Sequence, residues 1–184
     1  MKKYEDDIRN TLSHAKRCYD AWWLFTGKHP KREQIKFVHN KYLIFFDTLR
    51  PALYCTFAIK LSSLFSTIPK DITLDKLHGI QIYPEFNDLW DRGRRLYKYR
   101  SKVIAHRDQE ISIRNFAKET GFTYNDLKKI LYDTCSIFDT FAKKNNICGV
   151  TYFCCEEDLI KLISDLFEYN NCLTRQSSRL LRSG

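Results

Sequence analysis

Apolar residues recur every three or four positions along most of this chain, which is the spacing of an amphipathic α-helix. The first such run extends from residue 4 to about residue 25 and ends where Gly27 and Pro30 interrupt it. A second run extends from about residue 31 to residue 66. It contains Pro51, which either kinks one long helix or begins a new one at its first turn.

The second half of the chain continues this helical pattern. Two loops, at 66–73 and 79–84, precede a helix predicted over roughly 84–105. Thr123 has the side chain and the position of an N-terminal cap for a further long helix. The last packed face consists of Leu159, Leu162, Ile163, Leu166 and Phe167.

These elements predict an all-α fold, a bundle of about five main helices with short extra helices and short connections. The 184 residues suit one domain with a sizeable core, which we place at 1–173. Residues 174–184 contain three arginines, three serines and no acid, which predicts a disordered basic tail.

Positive charge is concentrated in one segment. The chain carries a net charge of +9, and the stretch from Asp91 to Arg107 contains seven basic residues against one acid. The basic residues of this stretch are Arg92, Arg94, Arg95, Lys98, Arg100, Lys102 and Arg107. Such a segment predicts an anionic partner, usually RNA or DNA, with a solvated helix face as the alternative.

The helix predicted over 84–105 has a charged residue within its apolar stripe. The stripe consists of Phe86, Leu89, Trp90, Leu96, Tyr97, Val103 and Ile104. At about 100° per residue, Arg100 falls near the stripe's centre, where a charge is costly unless it is paired or lines a cleft. An ion pair with Asp47, Asp108 or Asp139 is therefore one interpretation of Arg100.

The other interpretation combines Arg100 with His106. A histidine has an unperturbed pKa of about 6.5 and can move protons near neutral pH, and a guanidinium can hold a phosphate. Together they suit metal-independent cleavage of RNA. On a continuous helix their Cα atoms would lie about 9 Å apart along the axis and about 120° apart around it, too far for a direct hydrogen bond. Either the helix ends near Ala105 or a second subunit completes the site. An ordinary helix-end position is the alternative for His106.

Other kinds of chemistry lack their motifs. The seven cysteines are irregularly spaced, which predicts neither a metal site nor a disulfide framework. The sequence contains no Gly-rich phosphate loop and no nucleophile elbow, and we expect no cofactor and no metal. The N-terminus lacks the apolar core of a signal peptide, and no apolar run is long enough to span a membrane. We therefore expect a cytoplasmic protein with reduced thiols.

Two segments of the chain resemble a known superfamily. YRSKVIAHRD, residues 99–108, resembles the HEPN signature, an arginine followed after four to six residues by a histidine. Together with FAIKLSSLFSTIPKDITLDKL, residues 57–77, it resembles most the abortive-infection AbiU-type HEPN proteins. The resemblance covers approximately residues 22–141 and is specific only in these two segments.

The resemblance implies a helical fold, dimerisation through the motif helices and, in many members, ribonuclease activity without metal. Such members act as bacterial toxins or in phage defence, sometimes with an antitoxin partner. By position, Arg100 would hold the scissile phosphate and His106 would be the general acid/base. Supporting motif residues would be Ser101, Lys102 and Asp108, and RNA-binding residues Arg94, Arg95, Lys98 and Arg107.

Two departures from the family pattern keep a second interpretation open. Active members frequently carry Asn, Asp or His after the arginine, whereas this chain carries Ser101. Two residues after the histidine, where some toxin pairs carry a tyrosine that becomes adenylylated, this chain has Asp108. The alternative is a non-catalytic HEPN module that binds RNA, a nucleotide or a protein partner.

Overall fold

The computed structural model describes residues 2–103, 122–150 and 155–180, and the regular elements in these ranges are all helical. The six α-helices of the described ranges are α1 (Lys2–Thr26), α2 (Arg32–Lys41), α3 (Leu43–Ser63), α4 (Phe86–Val103), α5 (Tyr124–Lys144) and α6 (Cys155–Leu180). Two short 3₁₀ turns, Leu74–Lys76 and Ile80–Ile82, lie between α3 and α4. The all-α fold class predicted from the sequence is confirmed. None of the described helices combines the length and apolar character needed to cross a membrane.

The second predicted helical run divides at Tyr42 and not at Pro51. Tyr42 leaves the helical conformation with φ −119° and ψ 44°, and its N–H closes the end of α2 by donating to the Val38 carbonyl at 3.0 Å. Pro51 instead lies inside α3. Because proline has no N–H, it cannot donate the usual helical bond to the carbonyl of Asp47. Helix α3 continues through this position, so Pro51 does not begin a new helix, and neither alternative included the break at Tyr42.

Residue contacts divide the chain into two compact units. The first unit comprises Met1–Tyr19 and Tyr54–Phe153, and the second comprises Asp20–Leu53 and Cys154–Gly184. The predicted domain boundaries, 1–173 and 174–184, stay predictions. Within the segment predicted as a disordered tail, the α6 backbone continues as helix to Leu180. Extending an existing helix costs less than starting a new one, because each added residue brings its own hydrogen bond.

Helix α5 has the cap that the sequence predicted. The Thr123 hydroxyl accepts a hydrogen bond from the Asp126 backbone N–H at 3.2 Å, and the Thr123 N–H donates to the Asp126 carboxylate at 2.8 Å. This reciprocal capping box satisfies two donors that a helix start leaves without partners. It sets the beginning of the helix that packs on α4 in the first unit. The inward residues of α5 that are fully or almost fully buried are Leu127, Ile130, Leu131, Cys135 and Phe138.

The second unit packs α2 against α6 around a small apolar cluster. Its buried members are Leu24, Ile35, Val38, Phe46 and Ile163. Four of the five positions predicted for the last packed face are buried or partly buried against this cluster. Leu162 is the exception, since its side chain is 53% exposed. It lies about 100° around the helix from Ile163, which takes the inward position.

Candidate functional site

Helix α4 positions the candidate site, and its inner face is held by the core of the first unit. Phe86, Leu89 and Leu96 are each at most 3% exposed. The ring of Trp90 lies 5.7 Å from Phe65 and stacks on Phe86 at the same centroid distance. These contacts fix the rotation of α4 about its axis, because turning it would expose all of these side chains together.

Gly93 lets the Phe65 ring approach the α4 backbone directly. A Cβ built at position 93 would lie 2.1 Å from Cδ1 of Phe65, far inside van der Waals contact. A glycine in a helix interior is unfavourable by about 1 kcal/mol relative to alanine, so its presence here reflects the close packing. The sequence pattern gave no sign of this contact, because the partner ring lies in a separate segment of the chain.

Arg100 lies on the inner face of α4, as the apolar stripe predicted. At about 100° per residue it is within about 40° of Leu89, Gly93 and Leu96 around the helix axis. The residue is half-buried, and its guanidinium lies 5.9 Å from the ring centroid of Tyr97, within the range of a cation–π contact.

The ion pairs considered for Arg100 are not found in the described part of the first unit, where no carboxylate pairs with it. Asp139 accepts a hydrogen bond from the Val150 N–H at 2.7 Å. Asp47, in the second unit, lies 3.3 Å from Nε2 of His39. Asp108 lies outside the described residues. The positive charge of Arg100 is therefore not neutralised by the described acids of its own unit.

The predicted RNA-binding residues lie on a different face of the same helix. Arg94, Arg95 and Lys98 are about 120–160° around the axis from Arg100, and we call this the outer face of α4. Arg95 and Lys98 are exposed and Arg94 is half-buried. Arg95 extends over the ring of Phe122 at 5.7 Å. These three residues therefore lie on a different face of α4 from Arg100, to which the sequence prediction gave a different role.

Arg92 belongs to the scaffold of the site. Its Nε donates to Asp88 at 2.8 Å and one terminal nitrogen donates to Asp133 at 2.7 Å, which ties α4 to α5. The side chain is only 18% exposed. The i, i+4 spacing of Asp88 and Arg92 was a readable signal for the first contact. The contact with Asp133 could not be predicted from the sequence, since Asp133 lies on another helix. The local excess of positive charge is correspondingly smaller than the sequence count suggested.

One carboxylate remains charged beside the outer face. The hydrogen bonds from the Thr123 side chain and backbone lower the pKa of Asp126, and the nearby positive charge of Arg95 lowers it further. The outer face is thus bordered by a negative charge at the start of α5, which restricts where a phosphate chain can follow Arg95.

The remaining predicted site residues are described only in part. Ser101 and Lys102 belong to α4 by their backbone, and their side chains lie outside what the structure describes. His106, Arg107 and Asp108 lie outside the described residues altogether, so the predicted relation of Arg100 to His106 stays a prediction. Among the described residues, no group of three or more His, Cys, Asp or Glu side chains could hold a metal ion.

Comparisons of the chain with protein-family models, with curated proteins and with solved structures returned no match. The resemblance to HEPN proteins therefore rests on residues 57–77 and 99–108 alone.

Proposed function

We propose that this protein is a metal-independent endoribonuclease of HEPN type. In this proposal Arg100 holds the scissile phosphate and stabilises the charge that develops on it, while His106 acts as general acid/base. The site is composite and forms at a homodimer contact, where each protomer contributes one Arg100 and one His106.

The observation that carries the proposal is the position of Arg100. A half-buried guanidinium loses part of its hydration, and this loss is costly unless an anion compensates it. Since no described carboxylate in its unit pairs with it, a phosphate of bound RNA would supply the missing negative charge.

The outer face of α4 has a separate part in the proposal. Arg94, Arg95 and Lys98 contact RNA phosphates at a distance from the scissile bond and contribute binding that does not depend on sequence. Because phosphate contacts release counterions, RNA affinity should fall steeply with salt, and each lysine or arginine removed should reduce that slope. Arg107, which follows His106, belongs to the same binding set.

In the cell, such an activity fits a toxin or an abortive-infection effector of phage defence in the bacterial cytoplasm. An antitoxin or other defence protein would then be its partner.

The test is RNA cleavage by the purified protein in the presence of a metal chelator. His106→Ala should lower the cleavage rate by about 10²–10⁴-fold, the usual contribution of a general acid/base. The same variant should lose growth toxicity on expression. His78→Ala, which changes an exposed histidine of the same unit, is the matched control and should cleave like wild type. Both variants should keep the dimer and the thermal unfolding midpoint.

A second candidate function is a non-catalytic helical module that binds RNA, a nucleotide or a protein partner. The separation of the outer face from Arg100 favours RNA binding within this class, because the exposed basic residues can bind phosphates without the inner residue. Wild type that binds RNA but does not cleave it, with affinity lost in Lys98→Ala and kept in His106→Ala, would establish this function and refute the catalytic one.

A further inference from the structure

The second unit contains a basic pocket that the sequence did not indicate. It is a cavity of about 220 Å³, and five basic or titratable residues contribute to its lining. Arg32, Lys36 and His39 come from one side of α2, at helical spacings of four and three. Arg50 enters from α3, and His29 comes from the connection between α1 and α2. We call this cavity the basic pocket.

Three cations that line the basic pocket have no ion-pair partner among the described acids of the second unit. Within the second unit, no described carboxylate pairs with Arg32, Lys36 or Arg50. The carboxylate of Asp47 lies 3.3 Å from Nε2 of His39, which is another residue of the pocket lining. Like charges gathered in one cavity repel each other, so their convergence is unfavourable until an anion binds there.

Arg50 supplies a more specific indication of a missing partner. Its Nε is buried and has no hydrogen-bond partner among the described residues. Leaving a buried charged donor unsatisfied costs more than leaving a neutral one, and native proteins rarely do so without a functional reason. A bound anion oxygen would satisfy this donor and neutralise the guanidinium together.

His29 adds a polar side chain to the lining of the basic pocket. Its Nδ1 accepts a hydrogen bond from the Lys31 backbone N–H at 3.0 Å. In the neutral imidazole the proton must then be on Nε2, and in the charged form Nε2 also carries a proton. This contact therefore keeps Nε2 of His29 a donor in the neutral ring.

The rest of the wall is apolar. Leu24, Phe25 and Ile35 line the cavity, and Leu24 and Ile35 are almost fully buried in the cluster of the second unit. A bare inorganic anion would make no use of these side chains. The volume is below the range of about 300–1,000 Å³ that is usual for drug-sized ligands, so the occupant is small.

We propose that the basic pocket binds a small organic phosphate, a phosphate monoester with a compact apolar or aromatic group. A monoester carries about 1.5–2 negative charges at neutral pH and three acceptor oxygens, which suits three cations and a histidine donor better than a monocarboxylate does. The apolar group lies against Phe25 and its neighbours. The proposal is independent of the ribonuclease, because it uses no residue of α4 and none of the residues assigned to RNA binding or cleavage.

The test uses the full chain with phenyl phosphate, inorganic phosphate and phenol as probes. Binding of each probe is measured by calorimetry and by the shift of the amide resonance of Gly27, which is in the pocket wall. Phenyl phosphate should bind with a single saturable site and shift the Gly27 resonance. Inorganic phosphate should bind more weakly and phenol should not bind measurably. Arg50→Met and Lys36→Met should each lower the affinity for phenyl phosphate by about tenfold or more, because each removes about one charge-assisted hydrogen bond.

Lys161→Met is the matched control, since it removes an exposed lysine of the same unit that does not line the pocket, and it should leave binding unchanged. Lys36 is exposed, so its variant keeps the proposal testable if Arg50→Met fails to fold.

Each of the following results would overturn the proposal. The first result is that phenyl phosphate fails to bind at millimolar concentrations, or that it binds both pocket variants as tightly as it binds wild type. The second result is that inorganic phosphate binds as tightly as phenyl phosphate, which would show that the pocket does not recognise the organic group of the ligand. The third result is that RNA binds in a manner that depends on Arg50 while phenyl phosphate does not, which would show that the pocket binds a polynucleotide.

Discussion

Removal of the Arg92 side chain should loosen the attachment of α4 to α5 and lower the stability of the protein. Arg92→Met keeps most of the apolar stem and removes the guanidinium that bridges Asp88 and Asp133. The side chain is 18% exposed, Asp133 is 35% exposed and Asp88 is 74% exposed. The two contacts therefore differ in value, although their lengths are almost equal.

The exposed contact contributes little to the expected loss. An i, i+4 ion pair on a solvated helix surface contributes about 0.3–0.5 kcal/mol, which we assign to the pair with Asp88. The contact with Asp133 is half-buried and joins two helices, so it should lie between an exposed pair and a fully buried one, at about 1–2 kcal/mol. The sum is about 1.3–2.5 kcal/mol, or about 3–10 °C in the unfolding midpoint for a chain of this size.

The measurement is chemical and thermal unfolding of wild type, Arg92→Met, Asp133→Ala and the double variant. The double-mutant cycle should give a coupling energy of about 1 kcal/mol or more between Arg92 and Asp133. Lys98→Met, which removes an exposed cation from the same helix, should change stability by no more than about 0.5 kcal/mol. Equal effects of Arg92→Met and Lys98→Met, or a coupling energy near zero, would refute the assignment of Arg92 to the scaffold.

Two further substitutions test other contacts of the first unit. Gly93→Ala should lower stability by about 1–2 kcal/mol, because the new Cβ would overlap the Phe65 ring, and a Phe65→Leu background should recover part of the loss in the same unfolding assay. If Phe65→Leu recovers none of the lost stability, the loss does not come from overlap with the Phe65 ring. Asp126→Ala should lower stability at neutral pH. The difference in stability from wild type should shrink as pH falls below about 3.8. The reason is that a carboxylate with a lowered pKa stabilises the folded state only while it is ionised. Unfolding at about pH 7 and pH 3 measures this, and an undiminished difference in acid would contradict a charged cap.

Local signals in the sequence were sufficient for the elements that depend on neighbours along the chain. The helical period predicted the all-α class, and Thr123 marked the beginning of α5. The same period placed Arg100 on the apolar face of α4. These predictions succeeded because a helix fixes the relative directions of its own side chains whatever surrounds it.

Contacts between distant segments decided the remainder. Helical spacing alone separates Arg100 from Arg94, Arg95 and Lys98, whereas packing made Arg92 a bridge between α4 and α5. The bridge depends on Asp133, which lies on another helix, and helical spacing within α4 carries no information about that partner.

The second unit shows the same division. The break at Tyr42 lies within a continuous apolar period, so composition pointed to Pro51 instead. Arg32 and Arg50 meet in the basic pocket only because the chain turns at that break and brings α3 beside α2. The sequence by itself therefore determined the helices and the faces they carry, while the tertiary structure decided which charges are neutralised, which are exposed and which converge on a cavity, since charge pairing depends on distances that only packing sets.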